Sequence, residues 1–225
     1  MLKKSTAKIY RYLRFRKGFG VHSPFAFGLI NKVIEEKKPF YAFEEIEAYV
    51  SNHFSTKGYS QKYGRLLFRL VHFFHAQSVL QIGITNGMSP LYLNAASKHL
   101  IILESDMKKV DSTLAFYQMS SPLRVIPGDY EQTLNDAITE LGALDILYLN
   151  IAQDPELTRA LFEKCLPYTH PKTVCIIDGI HKKRMKTVWE VIKQRQDIPI
   201  TMDLYSLGLV FLDRKMHKKN YKIFF

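Results

Sequence analysis

The stretch Val79-Leu80-Gln81-Ile82-Gly83-Ile84-Thr85-Asn86-Gly87-Met88-Ser89-Pro90 decides how this chain is read. An apolar run with no room for a solvated face ends in a loop carrying two glycines. Ser89-Pro90 then has the form of a helix start, with a hydroxyl cap and a proline where no amide is needed. A buried strand, a glycine loop and a helix make the opening unit of an open α/β sheet, whose ligands bind beyond the carboxyl ends of the strands. Glycine lets a backbone come close to a ligand. The spacing G-x-x-x-G matches neither the dinucleotide fingerprint nor a phosphate-binding loop with its Gly-Lys-Ser/Thr. Taken alone, the loop is equally a plain tight turn.

Downstream, apolar runs at Leu100–Leu103, Leu123–Ile126, Leu144–Leu149 and Thr173–Ile177 alternate with helix-like segments near 89–98, 106–118, 130–141, 155–166 and 181–196. Continuous apolar strands separated by helices predict a parallel sheet covered on both faces. The end differs. Ile198–Tyr205 and Leu209–Asp213 are separated only by Ser206-Leu207-Gly208, which predicts a hairpin and an antiparallel pair. The expectation is a Rossmann-like, seven-stranded, mostly parallel sheet closed by that hairpin. Upstream, helices are expected over about 23–36, 43–54 and 60–75, the first capped by Ser23 and opened by Pro24.

Composition narrows the classes. The chain has 225 residues, 47% hydrophobic and 24% charged, which is globular composition rather than disorder. Cys165 and Cys175 are too few for a disulfide framework or a cysteine zinc site, and a reducing, cytoplasmic setting is expected. No apolar run approaches the roughly 18 residues of a membrane span. The net charge is +11, and it is gathered at the ends. Residues 1–34 hold eight Lys/Arg and no acid, and residues 181–225 hold eleven against four. Such ends suit an anionic partner or are solvated faces of terminal elements.

Two further positions join the loop. Glu104 ends the second strand 21 residues after Gly83, where a carboxylate can accept from both hydroxyls of a ribose. Gly128-Asp129-Tyr130 follows the third strand, where a carboxylate can accept from an adenine amino group and an aromatic ring can flank the base. Together they point to a nucleoside cofactor.

These residues resemble a class I S-adenosylmethionine-dependent methyltransferase of the O-methyltransferase-like kind. The likeness runs over about 60–214. It is carried by YGRLLFRLVHFFHAQSVLQIGITNGMSPLYLNAA at 63–96, Glu104, GDY at 128–130, LDILYLN at 144–150, VCIIDGIH at 174–181 and the closing hairpin. RFRKGFGVHSPFAF at 14–27 is similar to a bacterial group of that superfamily for which no substrate is implied. The resemblance implies S-adenosylmethionine as cofactor. Gly83, Thr85, Asn86, Gly87 and Ser89 would wrap its methionine portion. Glu104 would take the ribose, Asp129 and Tyr130 the adenine, and Asn150 would face the sulfonium.

The departures from the family pattern carry chemistry. Gln81 stands where the family usually has a carboxylate, and Asn150 where it usually has Asp. Asp178-Gly179 replaces the carboxylate-amide pair that metal-dependent members use. A single carboxylate is a poor Mg²⁺ site, so a metal-free reaction is expected. Asp178 and His181 lie past the fifth strand, at the rim where an acceptor would be deprotonated. A helix start at His181 would favour its neutral imidazole, or His181 is a surface residue beside Lys182, Lys183 and Arg184. His22 is the other candidate base, or a brace between N-terminal helices.

The expected division is residues 1–58 as a helical extension, proposed to cover the carboxyl ends of the strands as a lid, and 59–225 as the methyltransferase unit. A small-molecule acceptor is expected, and a homodimer is open. The basic ends would allow RNA, but neither an Asp/Asn-Pro-Pro-Tyr/Phe stretch nor a Pro-Cys pair is present to support nucleic-acid modification. The remaining alternative is a non-catalytic relative that keeps the fold for binding.

Overall fold

The computed structural model describes residues 21–53, 61–85, 87–116, 123–223 and 225. The core of the molecule is one sheet of eight strands: β1 (Ser78–Ile82), β2 (His99–Glu104), β3 (Leu123–Pro127), β4 (Leu144–Leu149), β5 (Thr169–Asp178), β6 (Ile200–Asp203), β7 (Leu207–Phe211) and β8 (Lys219–Lys222). The spatial order is β3-β2-β1-β4-β5-β7-β6-β8. Strands β1 to β5 pair in parallel, and β7 is inserted antiparallel between β5 and β6. Order reverses at β1 and β4, so the crevice for a ligand lies beyond Ile82 and Leu149.

The eighth strand departs from the expected seven. β8 pairs in parallel with β6, from Ile200 opposite Lys219 to Asp203 opposite Lys222. The sequence reading places no strand at 219–222, where lysines dominate. Burial of Ile223 and the hydrogen bond from Thr201 Oγ1 to Asn220 Oδ1 (2.8 Å) fix it to the sheet. Lysines on an outermost strand also discourage pairing with another chain.

Alternation along the strands feeds two cores. Val79, Ile102, Ile146 and Ile176 face one side; Leu80, Ile101, Leu147 and Ile177 face the other. On the second side lie α6 (Tyr130–Leu141), α7 (Pro155–Cys165) and α8 (Met185–Gln194). The first side is covered by α1 (Pro24–Leu29), a π-helical turn at Ile30–Ile34, and α3 (Gln61–Phe74). Helices α4 (Met88–Asn94) and α5 (Met107–Phe116) follow β1 and β2. α2 (Tyr41–His53) lies on α3 and α4 through a smaller cluster of Phe43, Ile46, Val50, Phe68 and Tyr92. Among the described residues no helix is long and apolar enough to cross a membrane.

The N-terminal helices are built into this frame. Ser23 Oγ accepts from Ala26 N–H (3.3 Å), with Pro24 at the first helical position. Ala26, Leu29, Ile30 and Val33 are buried in the same cluster as the sheet. Arg69 of α3, itself buried, donates from Nε to the carbonyl of Val33 at the end of the π turn (2.6 Å), and burial lowers its guanidinium to about 10. Phe25 meets Phe211 edge-on with centroids 5.1 Å apart. Phe211 pairs with Val174 and with Ile200, the first residue of β6, so this contact lies at the amino edge of the sheet. Residues 24–34 thus form part of the core layer on the sheet. Residues 1–20 and 54–58 of the expected lid lie outside the described residues.

α2 runs the other way along α3. Phe40, just before it, meets Phe68 and His72, while Glu47 further along takes Arg65 in a two-point ion pair (2.6 and 2.8 Å). Since α3 leads into β1, α2 points toward the carboxyl edge.

Candidate active site at the carboxyl edge

The first residues after β1, β3 and β4 are tied to the ends of the neighbouring strands at that edge. Gly83 N–H donates to Leu103 O (2.9 Å), Asn150 N–H to Ile82 O (2.8 Å) and Gly128 N–H to Glu104 O (3.0 Å). Gly83 has φ +86°, and a Cβ there would lie 2.8 Å from Asn150 O and 2.5 Å from Ile151 Cγ2. The backbone therefore needs glycine at this point for both its conformation and its closeness to β4. Thr85 Oγ1 bridges the loop to β4 by donating to Asn150 Oδ1 (2.6 Å). Asn86 lies outside the described residues.

Gln81 is fully buried beneath the loop. Its Nε2 donates to Gly83 O (2.8 Å) and Ser89 Oγ (3.0 Å), while Oε1 has no hydrogen-bond partner among the described residues. A buried carbonyl oxygen without a donor is costly, by about 1–3 kcal/mol. It marks the place where a bound donor would be favoured. Gly87, with φ +71°, precedes α4. α4 begins at Met88, one residue ahead of the Ser89-Pro90 start read from the sequence, so Ser89 hydrogen-bonds Gln81 instead of capping.

Glu104 is not a loose carboxylate at a strand end. It is buried, and it accepts from Ile84 N–H (2.6 Å), Asp106 N–H (2.9 Å) and the hydroxyl of Tyr130 (3.1 Å). Lys109 Nζ also lies 3.9 Å from Oε2, so the carboxylate is held by charge as well as by these bonds. Tyr130 is likewise buried, and burial raises its phenol above the usual range. Asp129 is exposed and caps α6, accepting from the N–H groups of Glu131 (2.9 Å) and Gln132 (3.2 Å) through Oδ1.

A second group gathers past β5 and β6. Asp178 closes β5 with Oδ2 3.3 Å from Lys182 Nζ, and burial raises its carboxyl above the usual range despite that lysine. Gly179 N–H donates to Ser206 O (2.7 Å), tying this turn to the β6–β7 connection. The Tyr63 hydroxyl of α3 donates to Ser206 Oγ (2.8 Å); burial, with the Asp178 charge, raises its phenol. His181 differs from its expected setting. α8 starts only at Met185, so 181–184 form a turn and no helix end acts on the imidazole. Its partner is instead Asp203: Nε2 lies 2.8 Å from Asp203 Oδ2. His22 is not brought here. It is exposed, and its neighbour Phe25 packs at the amino edge, the full length of β7 away.

Sequence reading missed Asp203, Tyr205, Ser206 and Tyr63. An acid closing a strand just before a hairpin turn was the one visible signal for Asp203.

The raised Asp178 gives a testable sign. In the folded protein the charged form is penalised, so the penalty is complete above its folded value and absent below the ordinary carboxylate range. Asp178→Asn should raise the thermal midpoint at pH 7. Scanning calorimetry should show this advantage shrinking as pH falls toward 4; an advantage that grows on acidification would contradict it.

No family model matches the chain, and no curated protein matches it. Solved structures do. An O-methyltransferase from Bacillus cereus, in complex with SAH, superposes with a TM-score of 0.58 at 18% identity, covering 81% of this chain and 94% of that one. The O-methyltransferase TomG from Streptomyces achromogenes, in complex with SAM, gives 0.59 at 16%, covering 78% and 91%. SAH-bound methyltransferase PaMTH1 from Podospora anserina gives 0.62 at 13%, covering 79% and 90%. The chain has the class I S-adenosylmethionine-dependent O-methyltransferase-like fold. In the methyltransferase-like fold of this chain the glycine loop, Glu104, Asn150 and Asp178 all stand at the carboxyl edge. The antiparallel pairing of β6 with β7 is the one the hairpin spacing predicts, and β7 is inserted between β5 and β6.

Proposed function

We propose that this protein is a methyltransferase that binds S-adenosylmethionine over the β1 loop and methylates an oxygen or nitrogen of a small-molecule acceptor without a metal ion. The observation that carries this reading is the buried Gln81 Oε1, an acceptor without a partner among the described residues, beneath a glycine loop that leaves no room for a Cβ. The likeness to SAM- and SAH-bound methyltransferases supports it.

The residues fit that cofactor. Gln81, Gly83, Thr85, Asn86, Gly87 and Ser89 would hold its methionine portion, with Gln81 Oε1 offering an acceptor to the ammonium group. Glu104 would take a ribose hydroxyl, Asp129 and Tyr130 would border the adenine, and Asn150 would stand near the sulfonium. When bound, the cofactor supplies an electrophilic methyl group. The chain's own work is then to orient an acceptor, exclude water and remove a proton. Asp178 and His181 stand on the side of the crevice where that acceptor would enter. We assign 59–225 to the methyltransferase unit. Residues 1–58 would help shape the acceptor pocket where α2 reaches the carboxyl edge. Cys165 and Cys175 are both free and buried, which suits the expected cytoplasmic setting.

Metal independence is supported by residue type: Asn150 and Gly179 offer no charge where metal ligands would be needed. Transfer of tritium from methyl-labelled S-adenosylmethionine to an acceptor should persist in EDTA. Loss of transfer in EDTA with recovery on adding Mg²⁺ would overturn the metal-free reading. Mass spectrometry of the purified protein should also find a co-purifying adenosyl nucleoside.

A further inference from the structure

We propose that the amino edge of the sheet, at the opposite end from the cofactor crevice, docks on an anionic lipid surface. Exposed aromatic side chains and cations without ion-pair partners among the described residues gather there. Such docking is independent of the reaction proposed above.

Strand direction places the aromatics. Every strand but β7 runs the same way, so the residues that lead into those strands share one edge. Phe73 lies in the last turn of α3, which leads into β1, and is exposed. Its neighbour Phe74 packs on Phe211 with centroids 6.1 Å apart, and Phe25 packs on the same ring. Phe27, two residues beyond Phe25, is 51% exposed. Tyr41 follows Phe40, whose ring meets His72 near the end of α3, and is 91% exposed. Tyr168 immediately precedes β5 and is 42% exposed. Among the described residues these are the exposed large aromatics, and all stand at one end of the molecule. Apolar side chains scattered singly over a surface are ordinary, but aromatics gathered at one end call for a partner with an apolar component.

The same edge is basic. Lys98 precedes β2, Lys172 lies in the irregular first part of β5, Arg214 and Lys215 follow β7, and Lys219 opens β8. All are exposed, and none closes an ion pair among the described residues. The acids beside them are already engaged. Asp145 accepts from the N–H groups of Gln77 (2.7 Å) and Ser78 (3.0 Å) and faces His170 (3.0 Å). Asp197 takes Arg195 on two points (3.0 and 2.8 Å), and Arg214 acts on it only at longer range. Asp213 Oδ1 accepts from Lys215 N–H (3.0 Å). Residues 1–20 hold seven further Lys/Arg and no acid, and they join the described chain at Val21, which packs on the same core as Phe25 and Phe211. An anionic lipid surface answers both halves of this pattern. Lysines reach the headgroups while aromatic rings enter the boundary between headgroup and acyl chain. RNA is the other polyanion, but it favours planar guanidinium groups that pair phosphate on two points and stack on bases. Here four of the five cations are lysines. Among the described residues no helix can cross a membrane, so the edge rests on the lipid and the crevice faces away from it.

Flotation of the full chain with lipid vesicles tests this. The protein should float with vesicles of one part phosphatidylglycerol to two parts phosphatidylcholine and stay behind with phosphatidylcholine alone. Raising the salt should release most of it. A basic residue near such a surface is worth about fivefold in partition, so the charge reversal Lys219→Glu should lower partition by about 10- to 30-fold. Lys222→Glu, three residues farther from the lipid along β8, should cost under about twofold, because about 10 Å exceeds the Debye length at physiological salt. Phe27→Ser with Tyr41→Ser should lower partition by about tenfold and leave its salt dependence unchanged. These changes are at exposed side chains, and thermal melts check that each variant is folded. The docking face is read separately. An environment-sensitive dye on Gln77→Cys should shift to the blue on the anionic vesicles, and the same dye on Lys222→Cys should not. Cys165 and Cys175 are buried and stay unlabelled. Absence of flotation with phosphatidylglycerol, equal flotation with phosphatidylcholine alone, equal effects of Lys219→Glu and Lys222→Glu, or an unshifted dye on Gln77→Cys would overturn the proposal. So would release of the protein from the vesicles by polyuridylic acid at equal phosphate, which would make the edge an RNA surface.

Discussion

Replacing Gly83 by alanine is expected to lower the thermal midpoint by about 5–15 °C and to abolish measurable S-adenosylhomocysteine binding. Two costs combine. A Cβ at φ +86° carries left-handed strain of about 1–2 kcal/mol. That Cβ would also sit 2.8 Å from Asn150 O and 2.5 Å from Ile151 Cγ2, and relieving such overpacking costs about 1–3 kcal/mol. A domain of this size loses about 2–4 °C per kcal/mol. Binding should suffer beyond the stability loss, because relief of the clash moves the loop away from β4 and breaks the Thr85–Asn150 bond. Gly28→Ala is the internal control. It lies in α1 with nothing within 4 Å of the added methyl, so it should be neutral or stabilising by up to about 1 kcal/mol. Thermal melts and ligand titration of both variants check this, and equal melts for the two would count against the assigned loop geometry.

Glu104→Ala should be nearly as damaging, for a different reason. The carboxylate accepts from Ile84 N–H, Asp106 N–H and the Tyr130 hydroxyl in a buried setting. Its removal leaves donors unsatisfied at about 1–3 kcal/mol each, so a loss of about 3–5 kcal/mol is expected. Ligand binding then fails together with the local fold and says little about the ribose. Tyr130→Phe separates the two effects. It removes one donor and leaves the carboxylate bonded to the two backbone amides. The expected cost is about 0.5–1.5 kcal/mol with S-adenosylhomocysteine affinity nearly unchanged. Chemical denaturation of both variants, with titration of the phenylalanine variant, checks it. A Glu104→Ala protein as stable as wild type would contradict the buried brace.

Legibility followed burial. Strands covered on both faces, such as Leu100–Leu103 and Val174–Ile177, have no polar alternation to confuse them, and both were visible as apolar runs. The first helix was visible through its Ser23 cap and Pro24, yet nothing local to that sequence could say that Ala26 and Ile30 belong to the sheet's core. β8 escaped because its register with β6 rests on backbone pairing and Ile223, while lysines dominate its composition. The start of α8 was placed too early, since Lys182, Lys183 and Arg184 suit an exposed helix face as well as a turn. At the site, Gly83, Glu104 and Asn150 were legible because each closes a strand or opens a loop. Asp203 was not: its partner His181 is 22 residues away in sequence, and they meet only because β7 turns back between β5 and β6.

The central claim, that the loop over Gln81 binds S-adenosylmethionine, is tested most directly by isothermal titration of the wild-type protein with S-adenosylhomocysteine. Saturable binding at a single site is expected, lost in Gly83→Ala and kept in Gly28→Ala. No heat and no thermal shift at millimolar ligand would contradict the claim and leave a methyltransferase-like fold used for something else.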